Sequence, residues 1–494
     1  MYNLIKERWI PVRCKSGSIR YIAPWEITDT DDEPIKVEFG RPDFNSAVTQ
    51  FLIGLIQTVM TPKDTDAWLD MFEYPPSPDD LKCKMSEIIE YFELIGGQHP
   101  FMQENGLEGK KQISSLILNA PGENTKKLNK DFFIKCGSDS DSLCMSCVAA
   151  ALYTLQSMGH AGGQGLRGSQ RGGSPLATII EGSKLSHTIF LNVVSEEHIP
   201  ESNGDSILSW IAPYVKNRTP LNNDFRMVYW TNVRRILLHD PSDGICSMCG
   251  NETKTVHTYA ELKDGTKFED WVHPLTPHSI KKEKIIPIQA SEGLGHLNEW
   301  TGMIYSNTSD IIPSLAIRQM KVNRNDLKDI LNVKDIRIWI TGSFNDKAIV
   351  KTWKSIREPV LLDYSDTQET ILESMIRKIV KLSKFGEDKL SFACKRLDNN
   401  REKTKKSPLC PDSAIQSYWS RCDFEFNNIL DSILIESEDE LIMGWIKKLR
   451  DISLKIIDEL SDTIPLESYV KVVESKELIW KTMSDKQMRE VLNK

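Results

Sequence analysis

The sequence predicts an α+β protein: a large mixed α/β N-terminal domain with zinc knuckles over residues 1–360, followed by a C-terminal four-helix bundle over residues 361–494. Three observations carry this. Up to Pro359, short β-branched runs alternate with helical segments and loops, the pattern of a domain that mixes sheet and helix. Beyond it glycine almost disappears and apolar residues recur every three or four positions, which marks amphipathic helices. At 494 residues the chain is also too long for one hydrophobic core.

In chain order, Trp9 to Val12 reads as a strand, and Asp43 to Met60 and Met85 to Leu94 as helices. "CVAAALYTLQSM", Cys147 to Met158, is rich in Ala and Leu and predicts a helix. "SPLATIIEG" and "HTIFLNVVS" are β-branched and predict strands, the second over Thr188 to Val194. Further strands are expected over Met227 to Leu238 and in the alternating run from Ile336 to Gly342. In the C-terminal third, Ile371, Met375, Ile379 and Leu382 step along one helix face. Ile442, Trp445, Leu449, Ile452, Ile456 and Leu460 do the same behind "ESEDE", whose charge suits a helix N-terminus. Ala414 to Ile433 and Ser468 to Asn493 complete four helices.

The N-terminal "MYNLIKERWIPVRC" carries charges and a proline where a signal peptide needs an apolar run, and no segment approaches a membrane span. A soluble, cytoplasmic protein with no membrane partner is expected. The ten cysteines then read as free thiols and metal ligands, not a disulfide framework. A formal charge of −8 argues against nucleic-acid binding over the whole surface. It leaves room for a local basic groove, for which Arg234-Arg235, the Lys281-Lys282-Lys284 cluster and the run Cys394 to Ser407 are candidates.

Two C-x-x-C pairs, Cys144/Cys147 in "LCMSC" and Cys246/Cys249 in "ICSMCG", are the usual means of offering four thiolates to Zn²⁺. Four protein ligands leave no position for an activated water, so such a zinc is structural. It would clamp the helix after Cys147 against the strand ending at Leu238. Two unrelated pairs of buried or redox-active thiols are the alternative.

That helix leads into "GHAGGQGLRGSQRGGSP", Gly159 to Pro175, with seven glycines. It contains G-x-G-x-x-G at Gly163, Gly165 and Gly168, yet the order helix, glycine segment, strand is the reverse of a dinucleotide-binding turn. What remains is a solvent loop or a bare backbone that a flat or anionic partner can approach, with Arg167 and Arg171 as basic support. No catalytic centre is evident. His257, His273 and His278 are scattered, Glu269 and Asp270 point to opposite faces of an extended segment, and no Walker A motif or nucleophile elbow is present.

"NLIKERWIPVR", "HPFMQ" at His99 to Gln103, the two knuckles, "RGGSP", "VYWTNVRRILLHDP" and "WVHPLTPHS" occur in one order and spacing. In this the sequence resembles the CasA family, the large subunit of the type I-E CRISPR Cascade complex, over most of residues 1 to 350. The resemblance implies a non-catalytic subunit that docks at the crRNA 5′-handle beside other Cascade subunits. It implies reading of the protospacer-adjacent motif of double-stranded DNA from the minor groove, the start of strand separation and R-loop formation, and recruitment of a helicase-nuclease for antiviral defence.

By the same resemblance three elements contact the motif. The glycine loop corresponds to Ala161, Gly162, Gly163, Gln164 and Gly165, departing from an all-glycine pattern at Ala161 and Gln164. A hairpin lysine falls in "ELKDGTKF" at Lys263 or Lys267, with "DG" as the turn. A wedge at the start of a helix corresponds to Asn345, Asp346, Lys347 and Ala348, with Lys347 where many relatives have glutamine. Phe133 in "FFIKCGSDSDS" resembles an aromatic that grips the RNA handle. Two other readings stay open: a metal-dependent nuclease built on the histidines and acids around His273, and a structural crRNA-handle adaptor that does not read the motif.

Overall fold

Strand β1 (Ile10–Cys14) is the centre of a small antiparallel sheet, flanked by β2 (Ile19–Ile22) and β3 (Pro34–Val37). Helix α1 (Pro42–Val59) follows, opened by a proline at its first position and Asp43 in its first turn. It is buried from Ser46 to Thr58, its polar Gln57 and Thr58 bonded to Val194 and Gly54 carbonyls inside the core. The computed structural model describes residues 1–120, 141–161, 165–281, 284–291, 297–304, 311–346, 349–360, 362, 366–397, 411–429, 432, 433, 435–462, 466 and 469–493. Phe133 lies outside them.

Strand β4 (Leu143–Cys144) runs directly into α2 (Met145–Met158), which packs on α1. Around this pair Phe51 makes edge-on contacts with Tyr153 at 5.5 Å and Trp230 at 5.7 Å, and Phe101 meets Trp210 at 5.1 Å. Edge-to-face rings are preferred because the positive rim of one meets the negative face of the next. Strand β5 (Leu176–Glu181) and α3 (Leu185–Leu191) come next, so the order helix, glycine segment, strand is as the sequence predicts.

The strand expected over Thr188 to Val194 is instead α3 and its exit. Asn192 explains this: its amide donates to the carbonyls of Ile180 and Thr188, both at 2.7 Å, and its Oδ1 accepts from Ile180 N–H at 3.0 Å. That side chain occupies the edge a strand would have used, and packing overrides β-propensity. Two other expectations change similarly. Met85 to Leu94 becomes a 3₁₀ segment, Ser86–Phe92, and a short strand, Glu93–Ile95, paired with Tyr2–Asn3. Met227 to Leu238 becomes a 3₁₀ segment, Phe225–Trp230, followed by β6 (Arg235–Leu238).

Strands β7 (Ser242–Ile245) and β8 (Glu252–Val256) form a hairpin, and β8 also pairs with β4, with Thr255 opposite Cys144. Strand β9 (Thr258–Leu262) pairs with β6 and with Lys111–Gln112. β10 (Lys267–Phe268) runs parallel to Asn217–Arg218. The hairpin expected in "ELKDGTKF" is therefore absent: β9 and β10 each take a different partner, and the segment between them is a turn. The long strand β11 (Arg337–Asp346) lies between β5 and β12 (Ile349–Pro359). Asn345 and Asp346 of the wedge thus end strand β11 and do not start a helix, because β11 and β12 pair along ten-residue and eleven-residue strands.

These elements make up one unit, Met1–Glu292 with Pro313–Asp363, and the second consists of Gly293–Ile312 with Tyr364–Lys494. A boundary at 360/361 read from composition misses the inserted piece. It contains α4 (Leu297–Ile304), whose first N–H is accepted by Asp423 at 2.8 Å. Helix α5 (Asp366–Leu397) packs against α6 (Pro411–Ile429), α7 (Glu438–Ser461) and α8 (Tyr469–Thr482). Ser383 ties three of them, its carbonyl accepting from Tyr418 Oη at 2.9 Å and its Oγ from Trp445 Nε1 at 3.1 Å. The helix expected over Ser468 to Asn493 is divided into α8 and α9 (Asp485–Leu492), the break falling at Ser484, the N-cap residue of α9. No helix among the described residues is long and apolar enough to cross a membrane.

Candidate nucleic-acid interface and metal centre

The four knuckle cysteines come together: the Sγ atoms of Cys144, Cys147, Cys246 and Cys249 lie within 4.8 Å of one another. Cys144 and Cys147 sit at the N-terminus of α2, and Cys246 to Gly250 form the tip of the β7–β8 hairpin. Local sequence shapes that tip. Gly250, directly after the second cysteine, adopts φ +77° and returns its N–H to the Cys246 carbonyl at 2.9 Å, a conformation that costs other residues about 1 kcal/mol or more. Ser142 fastens the two pairs together, donating through Oγ to the Ile245 carbonyl at 2.6 Å while its carbonyl accepts from Ser247 N–H at 2.8 Å.

A tetrahedral ion with metal–sulfur bonds of about 2.3 Å places its sulfurs roughly 3.8 Å apart, and the Cys144 and Cys249 sulfurs are 3.7 Å apart. Hydrogen bonds from Cys144 and Cys147 lower the Cys246 thiol, while bonds with Cys144 and Cys246 raise that of Cys147. Among the described residues this is the one group of three or more His, Cys, Asp or Glu side chains able to hold an ion.

From the knuckles α2 carries the chain to the glycine segment, whose base is pinched by Ser169 N–H donating to the Gly159 carbonyl at 2.6 Å. Arg234 clamps it from beneath. Its guanidinium donates to the His160 carbonyl at 2.7 Å and to the Arg167 carbonyl at 3.0 Å, and pairs with Glu261 at 3.2 Å. Gln156 of α2 holds Arg234 in turn, exchanging bonds of 2.8 and 2.9 Å with its backbone. The sequence signals nothing of this clamp, since carbonyl acceptors leave no mark on residue type. The Arg234-Arg235 doublet is accordingly no basic groove: Arg234 is buried, and Arg235 forms an ion pair with Glu104.

Gly165 meets the turn between β9 and β10. Asp264 N–H donates to the Gly165 carbonyl at 2.7 Å, and a Cβ on Gly165 would stand 2.9 Å from Lys263 Cβ at a φ of +82°. Only glycine fits both conditions. The two candidate lysines differ: Lys267 forms an ion pair with Glu269, whereas Lys263 is exposed and has no ion-pair partner among the described residues. Ala161, Gly165, Arg167, Gly173, Lys267 and Phe268 help to line an open recess of about 410 Å³.

At the other end of the segment, Asn345 near the tip of β11 donates through Nδ2 to the Gly173 carbonyl at 2.6 Å, and its N–H bonds Ser174 Oγ at 3.1 Å. The segment runs into β5, the neighbour of β11, so Asn345 sits beside its C-terminal part. Asp346 ends β11. Gly162, Gly163, Gln164, Lys347 and Ala348 lie outside the described residues.

Arg171 requires a correction. It does not face outward as basic support: it is 2% exposed, its guanidinium contacts Met158 Sδ at 2.9 Å and His273 Nε2, and burial lowers its pKa to about 10. Arg167 is half-buried, with its carbonyl committed to Arg234. His273 is buried as well. It accepts from Leu275 N–H at 3.1 Å, and burial followed by the Arg171 charge holds it neutral.

A family model described as CRISPR-associated protein Cse1 matches residues 3–456. Among solved structures, CasA of Thermus thermophilus is similar at 17% identity and a TM-score of 0.75, with 98% of this chain and 99% of that one covered. Cse1 of Acidimicrobium ferrooxidans is similar at 14% identity and a TM-score of 0.73, with 99% of each chain covered. A chain of a CRISPR RNA-guided surveillance complex is similar at 13% identity and a TM-score of 0.72, with 98% and 99% covered. With a family match that spans nearly its whole length, the chain belongs to the CRISPR-associated protein Cse1 family.

Proposed function

We propose that this protein is a non-catalytic subunit of a type I-E CRISPR surveillance complex that recognises the protospacer-adjacent motif in double-stranded DNA and starts strand separation. The observation that carries the reading is the convergence of two sequence-distant elements on the glycine segment. Gly165 packs on Lys263, and Asn345 is bonded to Gly173. A backbone without side chains enters a minor groove about 6 Å wide, which a branched side chain would block. Lys263, with its charge unspent, meets a phosphate or a base edge at the groove; Lys267 is already neutralised by Glu269. The wedge residues that follow Asn345 would then part the adjacent base pair.

In this reading Cys144, Cys147, Cys246 and Cys249 hold a structural zinc, which supplies rigidity and no chemistry. The α2 start and the Arg234 clamp hold His160 and Arg167 at the two sides of the glycine segment before DNA arrives, so that part of the ordering cost is not charged to binding. The crRNA, the other Cascade subunits, the DNA target and a helicase-nuclease are the partners, with Phe133 assigned to the RNA handle. The deciding experiment is a gel shift with the reconstituted complex. Gly165→Trp and Lys263→Ala are expected to lower motif-dependent duplex binding at least tenfold; unchanged binding would refute the assignment.

A further inference from the structure

Behind the Asp264 turn lies a second hollow, of about 280 Å³, lined among others by His99, Tyr214, Arg218, Asn232, Arg235 and Thr266. Glu104 is the carboxylate in its wall, alongside the neutral amides of Gln98, Gln103, Asn105 and Asn232. Glu104 is committed to Arg235 at 2.5 Å, and the Arg235 guanidinium also lies 4.5 Å from the centre of the Tyr214 ring. Arg218 is 7% exposed and faces no carboxylate: it donates to Asn223 Oδ1, Ser209 O and Pro213 O at 3.2–3.3 Å, while its Nε has no partner. A buried guanidinium held only by neutral acceptors is poorly compensated, and an anion in the hollow offsets its desolvation. Tyr214 adds an aromatic ring that is 41% exposed.

The hollow adjoins the glycine segment through one residue. Tyr214 Oη donates to the Asp264 carbonyl, and Asp264 N–H donates to Gly165. Thr266 lines this hollow, and the next two residues, Lys267 and Phe268, line the recess on the other side.

We propose that this hollow binds one nucleotide unit of a single-stranded nucleic acid, its phosphate against Arg218 and Asn232 and its base against Tyr214. The choice of a strand rests on the glycine segment's proposed contact with DNA; the phosphate chemistry of the hollow does not. A ring of this kind binds any base, because every base has a stacking face. The site would hold the separated strand without reading its sequence.

The test uses the full chain and fluorescence anisotropy with four probes: a labelled oligothymidylate, a motif-bearing duplex, thymidine monophosphate and inorganic phosphate. Tyr214→Ala is expected to weaken oligothymidylate binding about tenfold, with Tyr214→Phe retaining it, since the ring and not the hydroxyl stacks. Inorganic phosphate should compete with the oligonucleotide. Unchanged oligonucleotide binding by folded Tyr214→Ala overturns the proposal, as does monophosphate binding that matches the oligonucleotide, which would mark a free-nucleotide site. Equal losses for duplex and single strand would also overturn it, because Tyr214 would then only prop the Asp264 turn. Gly165→Trp separates the two readings: it removes duplex binding if the glycine segment reads DNA, whatever the outcome at Tyr214.

Discussion

Gly165 concentrates the argument at the level of single residues. Its φ of +82° and the 2.9 Å approach to Lys263 Cβ are two independent reasons why no side chain fits. Gly165→Ala should cost about 1–2 kcal/mol of backbone strain before any displacement of the lysine. Thermal denaturation is expected to show a fall of a few degrees, and parental stability would mean that the segment has shifted to accept the methyl group. Buried histidines add a pH dependence. Burial lowers His278 to about 4, against an unfolded value near 6.5. Between these values the unfolded chain takes up a proton that the folded chain refuses. The stabilisation is therefore complete above about pH 6.5 and is lost as the pH falls toward 4, with a slope up to about 1.4 kcal/mol per pH unit. Urea midpoints should drop between pH 7 and pH 5, and a flat profile would contradict the burial. The sequence showed that Arg171 carries charge, but not that Met158 and His273 enclose it. Burial is set by neighbours far along the chain.

At the level of elements, the knuckles were legible because C-x-x-C records its geometry in spacing, and Gly250 supplied the left-handed turn that the hairpin tip uses. The β11 strand was legible from alternation. The wedge was not: "SFNDKAIVKTW" has no helix or hairpin signal that outweighs resemblance, and only pairing of Ser343 with Trp353 and of Asn345 with Val350 shows a hairpin. Helix α3 escaped the sequence reading for a similar reason, since the Asn192 bonds that specify it are tertiary. Two predictions belong here. Purified protein should contain about one zinc per chain, and Cys246→Ser should lose it together with several kcal/mol of stability, because ligand binding and folding of such a site are coupled; metal-free protein of parental stability would remove the site. Asn345→Ala breaks the bond to Gly173, a loss of about 1 kcal/mol. Target binding by the complex should weaken severalfold without a large change in melting temperature, whereas parental affinity would show that the hairpin tip needs no anchor on the glycine segment.

For the whole molecule, composition gave the change from mixed structure to helices near Pro359, but not the insertion of Gly293–Ile312 into the helical unit. A short segment of ordinary composition does not declare which core it joins. Charge is more informative at this scale. A net charge of −8 disfavours duplex DNA as a whole, so attraction must come from a local group of residues acting together. Several candidates are already spent: Arg234 and Lys111 share Glu261, Arg235 pairs with Glu104, and Lys267 with Glu269. Few phosphates are then neutralised, and binding of a motif-bearing duplex by the isolated chain should show a shallow salt dependence, with a log–log slope no steeper than about −4. Lys263→Ala should reduce that slope by about one unit and weaken all duplexes alike, while Gly165→Trp should remove motif preference. A slope near −8 that survives Lys263→Ala would place the DNA on a basic surface elsewhere, and the convergence at Gly165 would then serve the fold alone.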